Sequence, residues 1–147
     1  MCIRDRSNYS YEIYCKTLKP LKKISTKEFP GYPTDLQAQL IATQLKSGLK
    51  SKVVENIFEN RFIHIPELRR FGANLSIKGK TVTIDKTSNL LGAEVMATDI
   101  RASFSLIIAA MMSKGKTVIN RIYHLDRGYE DFDLKLKKCG VNISRKK

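Results

Sequence analysis

The sequence predicts an α/β fold made of two copies of one mixed unit, and three observations carry that expectation. The first is an internal repeat. From Thr34 the chain reads Thr-Asp, an apolar helical stretch, Gly48, a β-rich run ending Ile57-Phe58, Asn60-Arg61, a short amphipathic segment and Gly72-Ala73-Asn74-Leu75-Ser76. From Thr98 it reads Thr-Asp again, a longer apolar stretch, Gly115, a run ending Ile122-Tyr123, Asp126-Arg127, a second amphipathic segment and Gly140-Val141-Asn142-Ile143-Ser144. A period of roughly 65 residues is too long for the common solenoids, so each copy is a complete supersecondary unit inside a larger symmetric domain. The second observation is that helical and β-branched stretches alternate in the same order in both copies. The third is the run Ala102 to Met112, which has no polar face. A helix apolar all round is buried all round, so helices sit inside and strands outside, the reverse of the ordinary α/β arrangement.

Taken in order, Met1 to Arg6 shows no pattern that joins it to the rest of the chain and is expected to be a non-native scar outside the fold. Tyr9 to Cys15 alternates as a strand, and Lys16 to Tyr32, with Pro20, Pro30 and Gly31, reads as a connector. Thr34-x-x-Gln37 has the capping-box pattern, opening a helix to about Lys46 that Gly48 closes. A strand comes next over Val53 to Ile57, then a short helix around Pro66 to Phe71, ended by Gly72. Ala73 to Ile77 and Thr81 to Asp85 flank Lys78-Gly79-Lys80 as a hairpin. The second unit predicts a helix over Asp99 to Ser113, a strand over Thr117 to Ile122, a helix over Tyr129 to Cys139 and a strand over Val141 to Ser144. The repeat units are expected at about 30–88 and 89–147.

Composition limits the function classes. Among 147 residues, 27 Lys and Arg face 14 Asp and Glu, a net charge of +13. Such an excess suits a nucleic-acid surface, because clustered cations release counterions from a phosphate backbone. Here the lysines are scattered and lack the aromatic interleaving of single-strand binders, so a small anionic ligand fits as well. The longest apolar run, Phe104 to Met112, is far short of a bilayer span. No leader pattern sits at the start. Cys2, Cys15 and Cys139 match neither a disulfide framework nor a zinc site, which points to a reducing cytoplasm. His64 and His124 have no metal partners in sequence, and neither metal nor cofactor is expected.

Four long, collinear strings carry a resemblance: FPGYPTDLQAQ, VVENIFENRFIHIPELRRFGAN, LLGAEVMATDIRAS and INRIYHLDRGYEDFDLKLKKCGVNI. They closely resemble the C-terminal part of the UDP-N-acetylglucosamine enolpyruvyl transferase (1-carboxyvinyltransferase) family, from about Tyr9 onward. The related shikimate-pathway enolpyruvyl transferases share the fold but are not expected to carry ENRFIHIPEL or IYHLDRGYE. The resemblance implies an inside-out α/β barrel built from βαβαββ units, of which residues 7–147 form a partial C-terminal domain holding about two. It also implies transfer of the enolpyruvyl group of phosphoenolpyruvate to UDP-N-acetylglucosamine, opening peptidoglycan synthesis, in a monomer that engages neither nucleic acid nor membrane. The mobile loop whose cysteine handles phosphoenolpyruvate in the family has no match here. The chain therefore reads as a fragment, expected to be inactive alone. The competing reading is a small basic nucleic-acid-binding module.

Residue roles can be carried over from the resemblance position by position. Asp35 matches the proposed general base on the acceptor hydroxyl. Arg61, Arg101 and Arg127 match arginines that bind the carboxylate and phosphate of phosphoenolpyruvate, a task suited to planar guanidinium forks. Ile57, beside Phe58, matches a position that touches the nucleotide sugar, and Asp99 matches an acid near the reacting carbon. Each residue also has an ordinary reading: an Asp at a helix start is usually a cap, an Arg at a strand end a solvated surface group, and Ile57 and Phe58 core.

Overall fold

The computed structural model describes the backbone of residues 2–7, 10–14 and 21–146, and the side chains over 21–146. Two short strands lead, β1 (Cys2–Ser7) and β2 (Ser10–Tyr14), paired antiparallel. The pairing gives a strand partner to a segment whose sequence shows no strand pattern. Tyr9 and Cys15, the ends of the expected strand, lie outside the described residues.

The first repeat is a complete βαβαββ unit. It runs β3 (Lys23–Ser25), a 3-10 turn (Thr34–Leu36) leading into α1 (Gln37–Gln44), β4 (Ser51–Val54), α2 (Ile65–Arg70), β5 (Leu75–Lys78) and β6 (Thr81–Ile84). The sheet order is β3-β4-β6-β5: β3 and β4 run parallel, as a crossover through α1 requires, while β6 lies antiparallel to both β4 and β5. The expected hairpin is present, with Gly79 at φ 54° in its turn. The segment expected as a connector holds β3, whose three residues are too few to show alternation.

The second repeat begins the same way, with β7 (Glu94–Met96), α3 (Ile100–Met112) and β8 (Val118–Asn120), β7 and β8 again parallel. It continues through α4 (Tyr123–Asp126) and α5 (Phe132–Lys138). The helix expected over Tyr129 to Cys139 starts late because Asp131 has a left-handed backbone, φ 46°, which a right-handed helix cannot contain. The strand expected over Val141 to Ser144 does not form. Val141 instead donates its N–H to Leu136 O, closing α5, and residues 141–146 are irregular.

Two further expectations are corrected by hydrogen bonds. The capping box at Thr34 is not made: no side chain caps the 3-10 turn or α1, and Thr34 Oγ1 donates to Glu55 Oε2 at 2.8 Å. The strand expected to reach Ile57 ends at Val54, because the Ile57 and Phe58 amides bond to the Glu55 carboxylate instead of a neighbouring strand.

The interior is the reversed arrangement that α3 demanded. Helices α1 and α3 pack on each other more extensively than any other pair of helices, and strands from both repeats contribute to the same core. Ile41, Ala42 and Leu45 from the α1 region meet Leu106 and Ala109 of α3, with Val53, Val82, Ile84 and Val95 from the sheets. Small residues on α3, Ala102, Ser103, Ser105 and Ala109, are buried, which lets the helices approach closely. The Ser103 and Ser105 hydroxyls are satisfied by the carbonyls of Asp99 and Ala102. The middle of α3 is largely closed to solvent, while Arg101 in its first turn and Met111 in its last reach the surface. Glu67 Oε2, accepting from the Met96 N–H, and Arg70 Nε, donating to Glu94 O, fasten α2 to β7 and so join the repeats.

Candidate active site

Packing α1 against α3 brings the two Thr-Asp joints to the same end of the domain. Asp35 lies in the 3-10 turn before α1, and Arg101 in the first turn of α3. Arg101 Nε donates to Asp35 Oδ1 at 2.7 Å, across 66 residues of sequence. Arg61, from the loop after β4, donates through Nη2 to the same oxygen at 3.1 Å and through Nη1 to Thr34 Oγ1 at 2.6 Å. Two guanidinium groups thus share one carboxylate oxygen and leave a net positive cluster. Arg61 is the more enclosed, its side chain 17% exposed, while Asp35 is open to solvent at 66%. The Nη groups of Arg101 have no partner among the described residues and are available to an anion.

Phe58 lies exposed with the Arg61 guanidinium 4.3 Å above its ring, a cation–π contact that fixes the arginine's plane. Ile57 is half-buried. Both are held from beneath by Glu55, a residue that sequence reasoning missed. Its carboxylate is 1% exposed and accepts from Thr26 Oγ1, Thr34 Oγ1 and the Ile57 and Phe58 amides. Burial pushes the Glu55 carboxyl upward, but these four hydrogen bonds outweigh it and hold the group below the ordinary glutamate value. One signal was available: a Glu in the β-rich run Val53 to Phe58, once buried, must find hydrogen-bond partners or give up its charge.

Asp99 behaves as the ordinary reading of a helix-start Asp holds. Its Oδ1 accepts from the Arg101 and Ala102 amides at 2.7 and 3.0 Å and caps α3. His64 is buried nearby, 2% exposed, with Nε2 unpartnered among the described residues. Burial pushes its imidazole down to about 4, against an upward pull from the Asp99 carboxylate, so it is neutral at pH 7. His124 stacks at a tilt on Tyr123. Among the described residues no group of three or more His, Cys, Asp or Glu could hold a metal ion, and no helix is long and apolar enough to cross a membrane.

Arg127 is the one expected anion ligand not drawn into the cluster. It closes α4 through its backbone N–H, is exposed, and its side chain makes no hydrogen bond or ion pair among the described residues. Its neighbours do reach the site. Gly128 packs so closely on Ile100 that a Cβ would collide with that side chain. Tyr129 stacks on Phe104 at 4.9 Å and lines an open recess of about 280 Å³ with Asp35, Leu36, Gln39, Ile100 and Arg101. A larger recess, about 370 Å³ beside α5 among Lys135, Lys137 and Lys138, includes none of the expected site residues.

The comparisons with known proteins agree with this fold. The family model described as EPSP synthase (3-phosphoshikimate 1-carboxyvinyltransferase) matches residues 5–136. A UDP-N-acetylglucosamine 1-carboxyvinyltransferase from Rhodopseudomonas palustris strain TIE-1 is 57% identical over 122 residues, covering 83% of this chain and 28% of the relative. One from Pelagibacter ubique strain HTCC1062 is 53% identical over 136 residues, covering 91% of this chain and 33% of the relative. The crystal structure of the enolpyruvyl transferase NikO from Streptomyces tendae superposes with a TM-score of 0.80 at 26% identity, over 97% of this chain and 33% of that one. The chain therefore spans about a third of the length of the relatives it matches, and it has the enolpyruvyl transferase fold.

Proposed function

This chain belongs to the EPSP synthase (3-phosphoshikimate 1-carboxyvinyltransferase) family, and we propose that it forms part of an enzyme moving the enolpyruvyl group of phosphoenolpyruvate to the 3'-hydroxyl of UDP-N-acetylglucosamine, the first committed step of peptidoglycan synthesis. The names of the relatives at 53–57% identity support the nucleotide sugar over 3-phosphoshikimate as acceptor. Both proposed substrates are multiply charged metabolites that do not cross membranes unaided, so the reading carries a cytoplasmic location.

In this reading Asp35 takes the proton from the acceptor hydroxyl, whose oxygen attacks C2 of phosphoenolpyruvate. A proton adds at C3 to give a tetrahedral intermediate. Loss of that proton then re-forms the double bond as the C2–O bond to phosphate breaks, leaving the enolpyruvyl ether and inorganic phosphate. Arg61, Arg101 and Arg127 neutralise the carboxylate and phosphate, Asp99 stands by the reacting carbon, and Ile57 and Phe58 contact the nucleotide sugar. The observation that carries the reading is the convergence of arginines from both repeats on the single carboxylate of Asp35. Asp35 therefore stands beside two guanidinium groups, where the anionic substrate would dock within reach of its carboxylate.

The test is phosphate release by an intact transferase of which this chain is part. Asp35→Ala should lower kcat far more than it raises the KM for the nucleotide sugar, and the 147-residue chain alone should be inactive, since one wall of a cleft cannot exclude water. An unchanged kcat with a raised KM would reduce Asp35 to a binding residue.

A further inference from the structure

Glu55 sits beneath the site, almost fully buried, and ties the Ile57-Phe58 loop to Thr34 beside the Asp35 cluster. Its two oxygens are divided. Oε1 accepts from the Ile57 and Phe58 amides at 2.9 and 3.2 Å and from Thr26 Oγ1 at 2.8 Å, while Oε2 accepts from Thr34 Oγ1 at 2.8 Å. Thr34 has one hydroxyl proton; giving it to Glu55 turns its lone pairs toward Arg61 Nη1, which donates at 2.6 Å. Arg61 in turn lies over Phe58 and reaches Asp35, so the circuit Glu55, Phe58, Arg61, Thr34 closes on itself.

We propose that Glu55 is a positioning residue that locks the acceptor-side loop and the Asp35 cluster into one register, one carboxylate oxygen serving each. Its catalytic consequence rests on the transferase reading, but the register itself does not. The second repeat supplies an internal control. Asn120 stands there two residues before Ile122-Tyr123, as Glu55 stands before Ile57-Phe58, and its amide donates sideways to Glu94 Oε1 without gathering loop amides. In that repeat Asp99 caps its helix and leaves no carboxylate shared between arginines. The charge at position 55 matters as well as its length. A Gln offers one acceptor oxygen in place of two, and its NH2 would face a Thr34 hydroxyl already accepting from Arg61, leaving the hydroxyl proton without a partner.

Two measurements test this, one of which needs no substrate. Hydrogen exchange on the intact transferase should accelerate about fivefold, roughly what replacing a charged acceptor by a neutral one gives, at both the Ile57 and Phe58 amides in Glu55→Gln, and stay unchanged in Thr34→Val. Kinetics of the intact transferase should then split. Both variants lower kcat by about tenfold, only Glu55→Gln also raises the KM for UDP-N-acetylglucosamine, and the double variant has the kcat of Glu55→Gln alone. A merely structural Glu55 would lower the folded fraction while leaving kcat and KM per folded molecule at wild type, and that result overturns the proposal. Unchanged exchange in Glu55→Gln also overturns it. Where Glu55→Gln does not fold, Thr34→Val alone decides, and wild-type kcat in that variant sinks the idea. The expected exchange pattern combined with an inactive wild-type enzyme would defeat the transferase reading and leave the register standing.

Discussion

The two Thr-Asp joints have the same dipeptide ahead of a central helix and use it in opposite ways. Asp99 turns back on its own helix and caps two amides of α3. Asp35 leaves its helix uncapped and reaches out to Arg61 and Arg101. The difference lies in the surroundings, since the dipeptide is common to both. At the first joint Thr34 is drawn to Glu55, the chain enters through a 3-10 turn, and two guanidinium groups compete for the carboxylate. The Asp35 carboxylate is held by two opposite charges at once, and its helix is left without a side-chain cap. The second joint has Asn120 where the first has Glu55, and there the local backbone wins. A repeated sequence can therefore divide labour, with one copy holding its helix and the other joining charged groups from both repeats.

The largest expected effect tests that division directly. In an intact transferase Asp35→Ala should lower kcat by roughly 10²- to 10⁴-fold, the range typical of a lost general base. Asp99→Asn, which keeps a capping side chain, should cost distinctly less. Equal losses in steady-state assays would erase the contrast between the joints.

The next effect concerns His64, packed beside the second joint. Its folded value of about 4 lies below the ordinary 6.5. Between those pH values the unfolded chain binds a proton that the folded chain refuses, so stability is complete above 6.5 and falls as pH drops toward 4, by up to about 3 kcal/mol. Glu55, also held below its ordinary value of 4.5, adds acid sensitivity that sets in as pH falls below that value. Urea denaturation of the chain at pH 7 and pH 4.5 should show the fall, and His64→Leu should flatten it; an unchanged slope would mean that the imidazole is not the titrating group.

A smaller effect separates forks from charge. Arg101→Lys keeps the cation but loses the Nε–H aimed at Asp35, and should lower kcat/KM for phosphoenolpyruvate by about tenfold. Neutralising Lys46, Lys50 and Lys52 should leave it nearly unchanged, although Lys50 pairs with Asp85 at 2.9 Å, because that pair is exposed and screened. Lysine-sensitive turnover with a tolerated Arg101→Lys would favour diffuse charge over a defined clamp. The smallest effect is in folding: Asp99→Ala should cost about 1 kcal/mol as a lost cap, and Asp35→Ala less than about 0.5 kcal/mol, both by urea denaturation.

What the sequence by itself determined was the repeat, the buried course of α3, the β5–β6 hairpin and, through its motifs, the residues that meet at Asp35. The repeat and the course of α3 come from periodicity and composition over ten or more residues, the hairpin from its turn residues, and the residues that meet at Asp35 from the resemblance that the four strings carry. The tertiary structure alone decided the rest. Strands β3 and β7 are three residues each and exist because a parallel neighbour completes them. Val141 to Ser144 carries a strand-like sequence and has no ladder partner among the described residues. Thr34 and Asp35 look like a cap and bond elsewhere because folding brings Glu55, Arg61 and Arg101, 21 to 66 positions away in sequence, within reach of them. A local pattern states which bonds a residue can make; the distant partners that folding brings alongside determine which of them it does make.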